Sequence, residues 1–396
     1  MDLNQNHASL NSSFRNFAGS QRPMDETQFQ RLIGVSLHQV RPSILMGFAK
    51  RLPKIELHQH LEGSITPKMM LELAQRHHVA LPAQTVHELM PFIQVTDKDS
   101  NLDDFLSKFP QIDVLFKSYA LIEELTALVL ANAAQDNVRY IELRFSPSYM
   151  CKRYKLEMPK VVEAVLAGMQ DAEGKLGIKS KAIILIERQL DLTTAAAVGD
   201  LAVAYAKQGV VALDLANDEL RYPPKPFADI FLSAKKAGLN ITVHAGEAAG
   251  AENVEDSIRL LGADRIGHGV RIVNNPAVMQ LVKEVGCTLE LCYTSNHQTG
   301  AVAKDIPYPL KAFLEQGLKV TVNTDDPGIS RVTLSREWFK VIRACSLELT
   351  DVAQLLQNSV DAAFVSQREQ EKMKLLVQEE FASACQWLVA RVANAC

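Results

Sequence analysis

From residue 54 onward the chain alternates short apolar, β-branched runs with longer stretches of helical periodicity, and it does so eight times. The runs are KIELHQH (54–60), VRYIELRFS (138–146), SKAIILIE (180–187), VVALDLAND (210–218), NITVHAGE (240–247), RIGHGV (265–270), CTLELCYT (287–294) and KVTVNTDD (319–326). Near-continuous apolar strands separated by helices signal a parallel sheet covered on both faces. Eight such units predict an α/β chain closed into a (β/α)8 TIM barrel rather than an open doubly wound sheet. The G-x-G-x-x-G that a dinucleotide-binding sheet carries after an early strand is absent. Thr66-Pro67 opens a predicted helix with Met69, Met70 and Leu73 at helical spacing. Residues 335–395 add amphipathic helices beyond the eighth strand, expected to pack around the barrel.

The 396 residues, 47% hydrophobic and 22% charged, carry enough apolar material for one large core. Residues 1–30 are rich in Asn, Gln and Ser without apolar periodicity, and read as a disordered polar tail. The remainder, 31–396, reads as a single barrel domain with C-terminal helices, in which the apolar spacing of 31–50 can pack onto the main body. Lys and Arg number 42 against 46 Asp and Glu, a net charge of −4 with no basic footprint for nucleic acid. That charge permits a monomer or a dimer and leaves the oligomeric state open. Cys151, Cys287, Cys292, Cys345, Cys385 and Cys396 form no C-x-x-C pair. Neither a secretory leader nor a run of 18 apolar residues appears, so no membrane association and a reducing cytoplasmic location are expected.

In such barrels chemistry gathers where strands end, and the ends here are unusually polar: His58 and His60, Asn217, His244 and Glu247, His268, Asp325 and Asp326. His58 and His60 are one residue apart, so on a strand they share a face. Alone, H-x-H also fits two hydrogen-bonded histidines, His244 a satisfied core residue, and Asp325 a helix cap. Together, three imidazoles and a carboxylate make a ligand set suited to zinc or a similar ion, which lowers the pKa of a bound water to about 7. Glu247, three residues after His244, places a carboxylic acid beside that ion; the plainer alternative is a charge favourable to a helix N-terminus. His268 can position the attacking hydroxide, or simply be buried and tied to backbone. Asp326 would face a bound substrate.

Taken in order, PKIELHQHLEGS, YIELRFSP, VALDLANDE, ITVHAGEAAG, RIGHGV, CYTSNHQTG and NTDDPG resemble the adenosine deaminase family, in particular its bacterial members, over roughly residues 50–340. That family is a branch of the amidohydrolases built on a (β/α)8 barrel. The resemblance implies one zinc per chain held by His58, His60, His244 and Asp325, with Glu247 giving a proton to purine N1. It also implies His268 beside the attacking hydroxide, Asp326 on N7, and a purine nucleoside substrate with water as co-substrate. Leu102, Phe105, Leu106 and Phe109 match an apolar lid over the pocket, although their spacing serves core packing equally well.

Two departures touch the substrate and spare the zinc chemistry. The family's H-L-D-G is here His60-Leu61-Glu62-Gly63, and the Asp it replaces contacts ribose; Glu is one methylene longer. The family's D-L-A-G-D-E is here D-L-A-Asn217-D-E, at a position whose backbone N–H meets purine N3. Asn keeps that N–H and tolerates left-handed backbone, but adds a side chain. These residues keep open a runner-up with the same chemistry on adenine or on a 5′-modified adenine nucleoside such as aminodeoxyfutalosine. An amide-, lactone- or phosphoester-cleaving amidohydrolase with two metals would want a bridging lysine at the end of strand 4, which reads Leu215-Ala216-Asn217-Asp218. A non-catalytic relic barrel conflicts with the intact ligand and acid set. Deaminases that edit nucleic acids use H-x-E with P-C-x-x-C, and neither motif is present.

Overall fold

The computed structural model describes residues 36–96 and 102–393; the tail expected over 1–30 and Cys396 lie outside them. Eight parallel strands follow one another in chain order around a single sheet. They are β1 Lys54–His60, β2 Val138–Phe145, β3 Lys179–Glu187, β4 Val210–Ala216, β5 Asn240–Ala245, β6 Arg265–His268, β7 Thr288–Leu291 and β8 Lys319–Val322. The predicted runs coincide with these strands but extend too far at several C-terminal ends, because the chain leaves the sheet just where its polar site residues begin. β1 and β8 close the ring through a parallel bridge of Gln59 with Asp325, in which His60 N–H and Asp325 N–H donate to the carbonyls of Asp325 and His58, each at 2.9 Å. The buried Glu56 carboxylate tightens the seam, accepting from the Thr324 hydroxyl at 2.8 Å and its N–H at 3.1 Å.

Helices cover the barrel between strands, and their ends follow from local chemistry. The Thr66 hydroxyl accepts from Met69 N–H at 3.2 Å and caps Pro67–Arg76, which buries Met69, Met70 and Leu73 as its spacing predicts. Gly177, Gly262 and Gly286 end three helices in the left-handed conformation. Beyond β8, the helices Leu334–Ala344, Leu349–Ala362 and Gln367–Ala393 wrap the barrel. The last packs against the early helix Pro42–Arg51, where the Arg51 guanidinium stacks 4.1 Å from the centre of the Trp387 ring and Phe48 and Leu45 are fully buried. Among the described residues no helix is long and apolar enough to cross a membrane.

The barrel interior is charged, contrary to the apolar look of the strands. Glu56, Glu142, Arg144, Asp214, Arg265 and Glu290 are all essentially inaccessible to solvent. Arg265 bridges Glu142 and Glu290, each at 2.5 Å, donates to the Ala362 carbonyl at 2.8 Å and lies over the Phe364 ring at 3.6 Å. This ties the floor of the barrel to the C-terminal helices. Removing one partner of a buried ion pair strands the other charge. Arg265→Met is therefore expected to cost about 3–5 kcal/mol in urea unfolding; a loss below 1 kcal/mol would show that the network carries no such weight.

Candidate active site

A cavity of about 260 Å³ opens at the C-terminal ends of the strands, and His60, His244, His268, Glu247, Asp325 and Asp326 are among its lining residues. His58, His244, His268 and Asp325 each offer a nitrogen or oxygen within 4.8 Å of the others. His60 joins them, with Nε2 at 3.2 Å from Asp325 Oδ1 and 3.1 Å from His244 Nε2. His58 Nε2 also lies 3.2 Å from Asp325 Oδ1. Backbone must come close here: a Cβ on Gly267 would sit 2.7 Å from His58 Cε1.

What orients these rings lies one layer down. Glu290 accepts from His58 Nδ1 at 2.7 Å, and Asp214 from His244 Nδ1 at 3.1 Å. Arg144 joins the two carboxylates, 2.8 Å from each. Burial alone would raise the Glu290 and Asp214 pKa values. For Glu290 the guanidiniums of Arg144 and Arg265 outweigh it, and for Asp214 His244 and Arg144 do, so both are held well below the usual carboxylate range. Ionised carboxylates only accept, so each ring keeps its proton on Nδ1 to donate to its carboxylate and leaves a bare Nε2 facing the cluster. The buried Nε2 of His58 has no hydrogen-bond partner; its lone pair faces a carboxylate oxygen, an arrangement that calls for a cation between them. Burial and Arg144 oppose positive charge on His58, yet Asp325 and Glu290 overcome both and raise its pKa. The donor set and the orphaned nitrogen therefore fit a metal ion.

Around this cluster stand the other predicted residues. Glu247 Oε1 accepts from the Thr299 hydroxyl at 3.0 Å, and Oε2 lies 3.5 Å from His268 Nε2. The Glu247 backbone is held by Glu219, which accepts its N–H at 3.1 Å. On the far side of the His268 ring, Asn296 donates from Nδ2 to Nδ1 at 2.9 Å while its Oδ1 accepts from the Tyr308 hydroxyl at 2.8 Å. That leaves the ring proton on Nε2. Burial, and then the charges of Asp325, Glu62 and Glu247, push the Asp326 carboxyl well above its ordinary value; its buried Oδ1 has no partner. A side chain on Gly63 would run into Asp326. Burial likewise pushes Glu62 up to about 8, with Oε1 accepting from Ser146 N–H at 2.8 Å.

Asn217, His268 and Asp325 have φ of 79°, 64° and 65°. Asn, Asp and His are the non-glycine residues that best bear left-handed backbone, so Asn217 occupies a conformation for which glycine is the easier choice. Phe105, Leu106 and Phe109 line the cavity, and Phe105 is also buried; the Leu102 side chain lies outside the described residues. The orienting residues Arg144, Asp214, Glu290, Asn296 and Tyr308 were not predicted, although charges set inside apolar strands are a readable signal for the first three.

The chain matches the family described as adenosine deaminase over residues 53–380. It is 38% identical over 326 residues to the adenosine deaminase of Shigella flexneri serotype 5b, covering 82% of this chain and 97% of that protein. Against the adenosine deaminase of Escherichia coli strain SE11 the identity is 37% with the same coverage. Among solved structures, the adenine deaminase of Arthrobacter aurescens superposes with a TM-score of 0.76 at 26% identity, over 83% of this chain and 98% of that one. An amidohydrolase from Burkhoderia ambifaria with bound zinc gives 0.78 at 25% identity, over 88% and 95%.

If the carboxylates beneath the rings set their tautomers, Glu290→Gln and Asp214→Asn will each weaken metal binding by about 10–100-fold, as read by competition with a chelator. Unchanged affinity in both folded variants would refute that role.

Proposed function

The chain belongs to the adenosine deaminase family, and from that premise we propose that its cavity hydrolyses adenosine and 2′-deoxyadenosine to inosine and 2′-deoxyinosine with release of ammonia. It is a hydrolase of a cyclic amidine C–N bond, in a family that depends on a metal. The observation that carries the substrate chemistry is the convergence of Glu247, His268 and Asp326 with the imidazole cluster at one end of the cavity. We assign His58, His60, His244 and Asp325 as ligands of one zinc. His268 stays outside that set because Asn296 occupies its Nδ1 and its Nε2 faces Glu247. Zinc held there would acidify a water and make it available as the nucleophile for C6.

The protein's own groups do the rest. Glu247, steadied by Thr299, delivers a proton to N1 and makes C6 electron-poor. His268 presents its Nε2–H to the attacking oxygen. Asp326, whose carboxyl burial pushes well above its ordinary value, holds the purine at N7. Atoms balance simply: the oxygen of water becomes the 6-oxo group, one of its hydrogens ends on N1, and the other leaves in ammonia. A cytoplasmic location is part of this reading, supported by five described cysteines that are buried and unpaired.

The runner-up substrates, adenine or a 5′-modified adenine nucleoside, rest on Glu62 and Asn217. Ammonia release measured in parallel on adenosine, adenine and a 5′-modified nucleoside separates the two readings, with adenosine expected to be turned over best. A sharp rise in adenosine turnover for Glu62→Asp would move the assignment to the runner-up. Glu247→Gln is expected to keep its zinc and lose about 10²–10⁴-fold in kcat; full activity in that variant would remove Glu247 from the mechanism.

A further inference from the structure

The two residues that depart from the family pattern are the ends of one hydrogen-bonded wall. Glu62 accepts from Ser146 N–H, and the Ser146 and Ser148 hydroxyls are 2.9 Å apart. Ser148 donates to Glu187 Oε2 at 3.2 Å, and Gln189 Nε2 donates to Glu187 Oε1 at 3.2 Å. Asn217 Nδ2 reaches Gln189 Oε1 at 3.4 Å. Glu62, Ser146, Glu187, Gln189 and Asn217 all line the catalytic cavity. Glu187, the last residue of β3, sits at the middle of this wall and is 8% exposed.

The imidazoles and Asp325 rise from β1, β5, β6 and β8, so the ends of β2, β3 and β4 form a separate stretch of the rim. In a purine, C6 and N9 lie at opposite ends of the ring system. With C6 at the metal ligands, Glu247 on N1 and Asp326 on N7, the sugar on N9 is carried towards β2–β4. Asn217 takes the N3 edge, and Glu62 replaces a residue that contacts ribose. Glu187 between them is left facing the sugar. Ser148 and Gln189 donate to its two oxygens and Ser146 interacts with it as well. All are neutral donors, and the four lone-pair sites of a carboxylate are not exhausted by them, which suits a cis-diol offering two hydroxyls side by side. Hydrogen bonds to a carboxylate are the strong kind, and burial, which pushes the Glu187 pKa upward, increases the demand for donors.

We propose that Glu187 is a specificity-determining residue that accepts the 2′,3′-diol of the sugar, so that the enzyme prefers adenosine to 2′-deoxyadenosine and 3′-deoxyadenosine. This rests on the adenosine deaminase reading of the same cavity. The test follows ammonia release from the three nucleosides by the zinc-loaded full-length protein, by Glu187→Ala and by Glu187→Gln. The wild type should favour adenosine over each deoxynucleoside by about tenfold or more in kcat/KM. Glu187→Ala should bring both ratios to within about threefold of unity, and Glu187→Gln, which keeps one acceptor oxygen, should fall between. Equal kcat/KM for the three nucleosides in the wild type overturns the proposal, as does a Glu187→Ala enzyme that keeps the wild-type ratios. Ammonia without a ribose preference removes Glu187 alone, whereas no ammonia from any nucleoside removes the function reading as well.

Discussion

The pair of ion pairs that Arg144 makes inside the barrel, with Glu290 and with Asp214, is the contact on which the site depends. One guanidinium pairs with two carboxylates, and each carboxylate fixes the tautomer of a histidine delivered by a different strand. Arg144 shares the work of keeping them ionised with Arg265 at Glu290 and with His244 at Asp214, but it alone contacts both of the carboxylates that turn the His58 and His244 rings to the cluster. Burying such charges contributes little net stability and can cost some. Their placement is explained by what they aim. The same guanidinium donates to the Leu57 carbonyl at 2.7 Å, securing the strand that carries His58 and His60.

Three of the eight non-glycine residues with positive φ among the described residues stand at the proposed site. Asn217, His268 and Asp325 all leave their strands with left-handed backbone, and each such residue costs on the order of 1–3 kcal/mol unless its surroundings impose it. Those surroundings are visible: the Asp325 backbone is pinned in the β1–β8 seam, and His268 is held by Asn296. A sharp exit turns each side chain from the rim into the cavity. Beside Asp325, the elevated pKa of Asp326 follows from burial among carboxylates. One end of the cavity thus combines a cation-seeking cluster with an acid whose pKa burial raises.

Much of this was legible in the sequence because strand ends and chemistry share one period. His58, His60, His244, Asp325 and Asp326 could be grouped from their places at the ends of apolar runs, and the eight runs alone indicate the barrel. Asn217 was legible only as a residue that tolerates left-handed backbone, the conformation it adopts. Less visible was the interior: in YIELRF, VALDLA and CTLEL the charged Glu142, Arg144, Asp214 and Glu290 interrupt strands whose apolar neighbours dominate any hydropathy reading. Which of them pair is decided by barrel registry, in which β2, β4 and β7 bring their side chains to one axis, and no local pattern encodes that. Asn296 reaches His268 from the short helix Tyr293–Gln298, and Tyr308 steadies Asn296 from the segment that follows; neither belongs to a strand whose period could announce it. Glu187 ends a predicted strand and went unremarked because a lone Glu there usually faces solvent.

The central claim is that the barrel's buried charges prepare a site for a single cation on which hydrolysis depends. The most direct measurement strips the protein with a chelator, titrates zinc back, and records metal content by elemental analysis alongside ammonia release from adenosine. The account predicts saturation at one equivalent per chain, with activity rising in proportion to occupancy. Saturation at two equivalents, or ammonia release that ignores occupancy, would contradict it.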